Sequence, residues 1–278
     1  MDRTELIRAN VFPGAQNAIE DWATFPWHLY AHSAKSSQVL AIDVFGTIKS
    51  LGSTERDAVL AAVAGRLGLP VQGPWEVHLE WQDAGNGLNE LTPTQVDAVA
   101  ISPNAMILFE CKFTEAGGGC SQIKPDRLGR VACDGAYRPQ INPQNGIEAR
   151  CALAGKGIRY WDHIPAVFGF DGEVDHAPCP FKFEAYQWMR NVLLARSLRT
   201  TTGRQTRVVA AFVDAPHLQT AAKVASGVLG QKPVLPIDAV VPLSYAGIIA
   251  AAAEAAPSEV WSQLTIWVEA KIAQTRSA

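Results

Sequence analysis

Residues 94–115 read TQVDAVAISPNAMILFECKFTE, two apolar runs joined by a short Ser-Pro-Asn turn. Strand alternation puts Asp97 on a face with Val99 and Ile101, and Glu110 and Lys112 on a face with Met106 and Leu108. Three charges therefore stand on faces that otherwise belong to a core. An unpaired buried charge costs several kcal/mol, so these side chains require one another or a metal ion. Cys111 alternates with Ile107, Phe109 and Phe113, and reads as core rather than as a nucleophile.

An Asp on one strand beside Glu-x-Lys on the next has a definite chemistry. Two carboxylates are hard oxygen donors suited to Mg²⁺ or Mn²⁺, ions that also bind phosphate. Lys112 projects to the same side and can set its ammonium against a phosphate or an attacking water. Metal-assisted phosphodiester hydrolysis is the reaction this set points to. The pattern needs its context, because Glu269-Ala-Lys271 repeats it within an amphipathic helix, where it reads as a solvated pair.

The rest of the chain supplies that context. Ser36 and Ser37 precede Leu40, Val44, Phe45 and Ile48 at helical spacing, predicting a helix to Gly46 or just beyond. Ser53 or Thr54 caps a second helix that stops at Gly68 to Pro70. The aromatic-rich stretch before Lys35 reads as irregular structure wrapped on the core. From Trp75 to Trp81, Val77, Leu79 and Trp81 alternate with Glu76, His78 and Glu80 as in a half-buried strand. A meander of three strands follows the helices. Glu184 to Leu198 is a helix with Gln187, Arg190 and Arg196 on its polar faces, and Val208 to Val213 is a buried strand. A short strand near Val240, an alanine-rich helix and a last helix through Trp261 and Val268 close the chain.

Between them, about 116–182, Gly, Pro and Asn abound without periodicity, so something must order the segment. It holds Cys120, Cys133, Cys151 and Cys179. No two are spaced Cys-x-x-Cys, so buried free thiols are expected, with a structural Zn²⁺ as the alternative.

At 278 residues with 48% apolar and 18% charged side chains, the chain is globular rather than disordered, and reads as a single α/β domain with a mixed central sheet over 1–278. The start, MDRTELIRAN, does not look like a secretory leader, and no run is apolar enough to span a membrane, so a cytoplasmic setting with reduced thiols is expected. The net charge of -3 argues against coating nucleic acid by bulk charge and leaves a local groove open. Arg196, Arg199 and Arg204 are the candidates for tracking a backbone.

Asp97 followed by Glu110-Cys111-Lys112 on an apolar hairpin resembles the PD-(D/E)XK nuclease superfamily, the restriction-endonuclease-like fold. SSQVLAIDVFG at 36–46, FECKFTE at 109–115 and YQWMRN at 186–191 are similar to a bacterial branch of it. The resemblance implies a core of helix, three-strand meander, helix and strand, here with the cysteine-bearing insertion before the later helix. It implies Asp97 and Glu110 as metal ligands, the Cys111 carbonyl as a third, Lys112 as catalytic lysine and Gln187 turned to the site. Arg190 would hold phosphate, and DNA would be the substrate. The acid that the superfamily often adds from its first helix has no match among Ser36, Ser37 and Gln38, with Asp43 further along; Glu80 is the other candidate. A nuclease-fold module without catalysis, and a nuclease acting on RNA, are the rival expectations. The oligomeric state stays open, a homodimer among the options.

Overall fold

The computed structural model describes residues 2–115, 117–218, 220 and 239–277. Its centre is a mixed sheet of β1 (Glu76–Gln82), β2 (Gln95–Ile101), β3 (Ala105–Lys112), β6 (Gln205–Phe212) and β7 (Val240–Ser244), in that spatial order. β1, β2 and β3 form an antiparallel meander, and β6 and β7 run parallel to β3. The central strand β3 is buried along its whole length, as expected for a strand covered on both faces.

Alternation along β3 sorts two cores. Ile107, Phe109, Cys111 and Phe113 join a cluster with Leu40, Phe45, Leu60 and Trp261; Met106 and Leu108 join Trp188, Leu193 and Val208 on the other face. The first face is covered by α2 (Ser37–Ala41), a π-helical turn (Ile42–Gly46), α3 (Thr47–Ser50) and α4 (Ser53–Arg66), with α7 (Tyr245–Ala255) and α8 (Glu259–Gln274). Ser36 caps α2 through the Val39 amide, whereas α4 is capped at Gly52 without a side-chain bond, so neither Ser53 nor Thr54 plays that role. The second face is covered by α6 (Ala185–Thr202) and by Tyr160, Ile164 and Phe181 of the segment before it.

Three expectations need correction. The first ten residues are not irregular: α1 (Arg3–Asn10) forms behind a capping box between Asp2 and Glu5. The alternation of β1 fails at its end, because Glu80 has φ of 50°. That left-handed residue turns the strand, so Val77 and Leu79 pack on the first core while Trp81 packs on the second. Lys271 is not solvated; it is buried and pairs with Asp43 at 2.7 Å.

The cysteine-bearing segment has β4 (Gln140–Ile141) paired with β5 (Glu148–Ala149), and α5 (Tyr160–Phe168). The helix lies where no periodicity was read; Pro165 masks a spacing that buries Tyr160 and Ile164 one turn apart. All five cysteines are free thiols. No helix among the described residues is long and apolar enough to cross a membrane.

Candidate active site

The sheet register gathers the charges. β1 pairs Leu79 with Ala98 and Trp81 with Val96, so Glu80 stands opposite Asp97. β2 pairs Ala98 with Phe109, which places Asp97, one step on, opposite Glu110. Three carboxylates thus form a row across three strands, on the face that α6 covers. Lys112 is two residues beyond Glu110 and follows it on the same side.

Glu110 is the most heavily engaged. Lys112 Nζ donates to its Oε1 at 2.7 Å, Gln187 Nε2 donates to the same oxygen at 2.6 Å, and Asn191 Nδ2 donates to Oε2 at 2.8 Å. Lys112 also donates to Gln187 Oε1 at 3.1 Å and lies 5.7 Å from the Trp188 ring centroid. Gln187 and Asn191 are one turn apart on α6, so a single helix face presents both amides to one carboxylate. Asp97, half-buried, accepts from the Cys111 amide at 2.6 Å. Glu80 Oε2 accepts from Gln95 at 2.6 Å, while its buried Oε1 has no partner.

Negative charge is in excess here. Burial first, then Glu110, pushes the Asp97 carboxyl well above its usual range, opposed by Lys112 and helped to a smaller extent by Glu80. Burial pushes Glu80 up to about 7, helped by Glu110 and opposed by Gln38. Burial alone would lower Lys112, but Glu110 and Asp97 outweigh it and raise its pKa, so the ammonium is held protonated. Cys111 is buried, and that burial raises its thiol far above the ordinary value, consistent with a core role.

Sequence reasoning placed Asp97, Glu110, Lys112 and Gln187 together, and the structure brings them together. It missed Asn191 and His28. Asn191 carried a readable signal, lying one turn after Gln187 on the same face of α6. His28 sits with its Nε2 4.0 Å from Glu80 Oε2, held because its amide donates to Gln38 Oε1 at 2.8 Å. The first helix thus sends buried Gln38 toward this end of the sheet and no acid. Asp43 is fully buried elsewhere, bonded to Lys271, the Phe12 amide and Trp267.

The basic residues are not where they were expected. Arg190 donates through Nε and Nη2 to buried Glu90 and through Nη2 to Thr94, so its fork is spent on structure rather than on phosphate. Arg196 and Arg199 lie about 14 to 18 Å beyond Gln187 along α6. Arg204 bonds the Ser102 carbonyl beside the start of β3, at the opposite end from Lys112. Within the cysteine-bearing segment, Arg130, Arg138, Arg150 and Arg159 pair with Asp126, Asp134, Asp175 and Asp162. Glu115 accepts from the Thr114 amide at 3.0 Å and serves its own turn. No group of three or more His, Cys, Asp or Glu side chains among the described residues is arranged to hold a metal ion.

A mixed sheet with an acid row, a paired lysine and a covering polar helix is the layout of a nuclease-like protein. Residues 2–263 match the family described as restriction endonuclease associating with ARP. The chain belongs to that restriction-endonuclease family. Comparison with curated proteins and with solved structures returns no match.

Proposed function

We propose that this chain is a divalent-metal-dependent nuclease of the PD-(D/E)XK class that hydrolyses DNA phosphodiester bonds. The observation that carries the reading is the junction of Glu110 with Lys112, Gln187 and Asn191 beside Asp97. The family description supports a nuclease and DNA as substrate, and it mentions association with ARP.

The donor set fits Mg²⁺ or Mn²⁺ by its chemistry. Asp97 and Glu110 offer hard oxygens, the Cys111 carbonyl a third, and the unpartnered Glu80 Oε1 a fourth. Excess negative charge in a buried row favours a cation. Among the described residues no three side chains stand arranged to ligate one ion, so water would complete the shell, as it does around Mg²⁺. When bound, the ion would supply water activation and charge neutralisation at the phosphoryl group.

The chain's own residues do the rest. Lys112, held protonated, is a hydrogen-bond and charge donor to a phosphate oxygen or an attacking water, not a general base. Gln187 and Asn191 fix the Glu110 carboxylate so that its orientation does not depend on Lys112 alone. His28, near Glu80, is within reach of the same row from the loop before α2.

The test is cleavage of plasmid, single-stranded DNA and RNA with Mg²⁺ or Mn²⁺, for the parent and for Asp97→Ala and Lys112→Ala. Metal-dependent cleavage lost in both variants is expected; variants that cut as well as the parent would sink the assignment. A second reading has its own observation: every Glu110 oxygen is already bonded. On that reading the fold binds nucleic acid or a protein without cutting, and DNA retention without cleavage across several divalent ions would establish it.

A further inference from the structure

The four cysteines of the 116–182 segment lie far apart in sequence and line one hollow. Cys120, Cys133, Cys151 and Cys179 surround a cavity of about 30 Å³ together with Gly135, Trp161 and Lys182. That is room for about one water-sized sphere. Gly135 donates to Cys133 Sγ at 3.4 Å. Burial raises the thiols of Cys120, Cys151 and Cys179, against a smaller downward pull from the amides that follow each in sequence, so a bound cation is what would favour their thiolates. Four loops thus bring their thiols to one hollow.

We propose that these four cysteines bind one structural Zn²⁺ as a tetrahedral thiolate site. The segment's inner part packs Leu153, Ile158, Tyr160, Ile164 and Phe181 on the second core, whereas its outer loops have a separate apolar cluster of only Ala132, Cys133 and Ala152. A closed four-sulfur site would fasten those outer loops to one another and to the core beneath them. Lys182 at the cavity offsets the negative charge that four thiolates leave around a dication. No three of the sulfurs already stand at ligating spacing, so binding draws them together by side-chain rotation about a hollow they already share. Four protons leave as Zn²⁺ binds, with no change of oxidation state. The site is separate from the Asp97 row and holds whether or not that row is catalytic.

The experiment is metal analysis of the full chain purified without chelator, followed by Co²⁺ replacement. About one zinc per chain, released by a mercurial thiol reagent, is expected, with thiolate-to-Co²⁺ charge-transfer bands and intense tetrahedral visible bands. Cys133→Ser and Cys151→Ser lose the zinc, whereas Asp97→Asn keeps it. A zinc content near zero, or zinc that Asp97→Asn loses and the cysteine variants retain, overturns the proposal. Should the cysteine variants fail to fold, the parent's cobalt spectrum decides: without thiolate bands the site does not exist.

Discussion

Asp43 and Lys271 meet at 2.7 Å, and so do Glu110 and Lys112, both pairs shut away from solvent. Their surroundings differ. Asp43 is closed off by the Phe12 amide and Trp267, and Lys271 by the Asn10 carbonyl. One acid meets one base, and burial pushes both toward neutrality, the carboxyl up and the lysine down. At Glu110 the lysine is instead raised, because Asp97 and, more weakly, Glu115 add negative charge to that of Glu110. A balanced pair is an internal strut. An unbalanced one is a site with room for another cation.

The largest effects form a matched set. Lys112→Ala is expected to cut metal-dependent cleavage by about a thousandfold, with the thermal midpoint changed far less than the rate. Lys271→Ala is expected to leave the cleavage rate per folded molecule intact while lowering stability by about 3–5 kcal/mol, since it strands a buried carboxylate. Urea melts and initial rates on both variants check this, and a Lys271 variant that folds normally but cannot cleave would break the comparison.

A medium effect comes from pH in chelator. The folded pKa of Glu80 is raised above its unfolded value to about 7, so the folded state holds the proton more tightly. Its contribution is fully present below the unfolded pKa and is lost as pH rises toward 7, roughly 3 kcal/mol in all. Glu80→Gln should flatten that slope in urea melts. Titrating Mg²⁺ or Mn²⁺ at pH 8 should raise the parent's melting midpoint and leave that of Asp97→Asn unmoved, because only the unbalanced row gains from a cation.

The smallest effect sharpens roles within α6. Asn191→Ala should lower cleavage about tenfold through Glu110. Arg190→Ala should lower stability through buried Glu90 without changing the salt dependence of DNA binding. A reduced salt slope would return Arg190 to the phosphate-binding role first expected of it.

These contrasts also mark how far local sequence reaches. The faces of Asp97, Glu110, Lys112 and Cys111 were legible because strand parity is local and β3 is regular. The order of the core helices and strands, α1 and α5 excepted, was legible because their apolar spacing is local too. The face of Trp81 was misjudged because the left-handed Glu80 reverses the parity after it, and nothing in VHLEW announces that. Glu269-x-Lys271 and Glu110-x-Lys112 look alike in sequence; only the distant Asp43 distinguishes them. Arg190 had its partner Glu90 elsewhere in the chain, and the cysteine hollow joins four loops that no spacing rule connects.

The glycine run after β3 has one more consequence. Gly118 donates to Gln187 Oε1 at 2.8 Å and accepts from the Gln187 amide at 3.2 Å, while the Cys120 amide donates to the Lys182 carbonyl at 3.0 Å. A side chain at Gly119 would stand 3.3 Å from that same carbonyl. The long segment therefore leaves and re-enters the fold through one backbone seam, and the seam includes the glutamine that touches both Glu110 and Lys112. In hydrogen-exchange terms the amides of Gly118, Cys120 and Gln187 belong to one opening unit, so whatever fastens the segment also sets how often the candidate site comes apart.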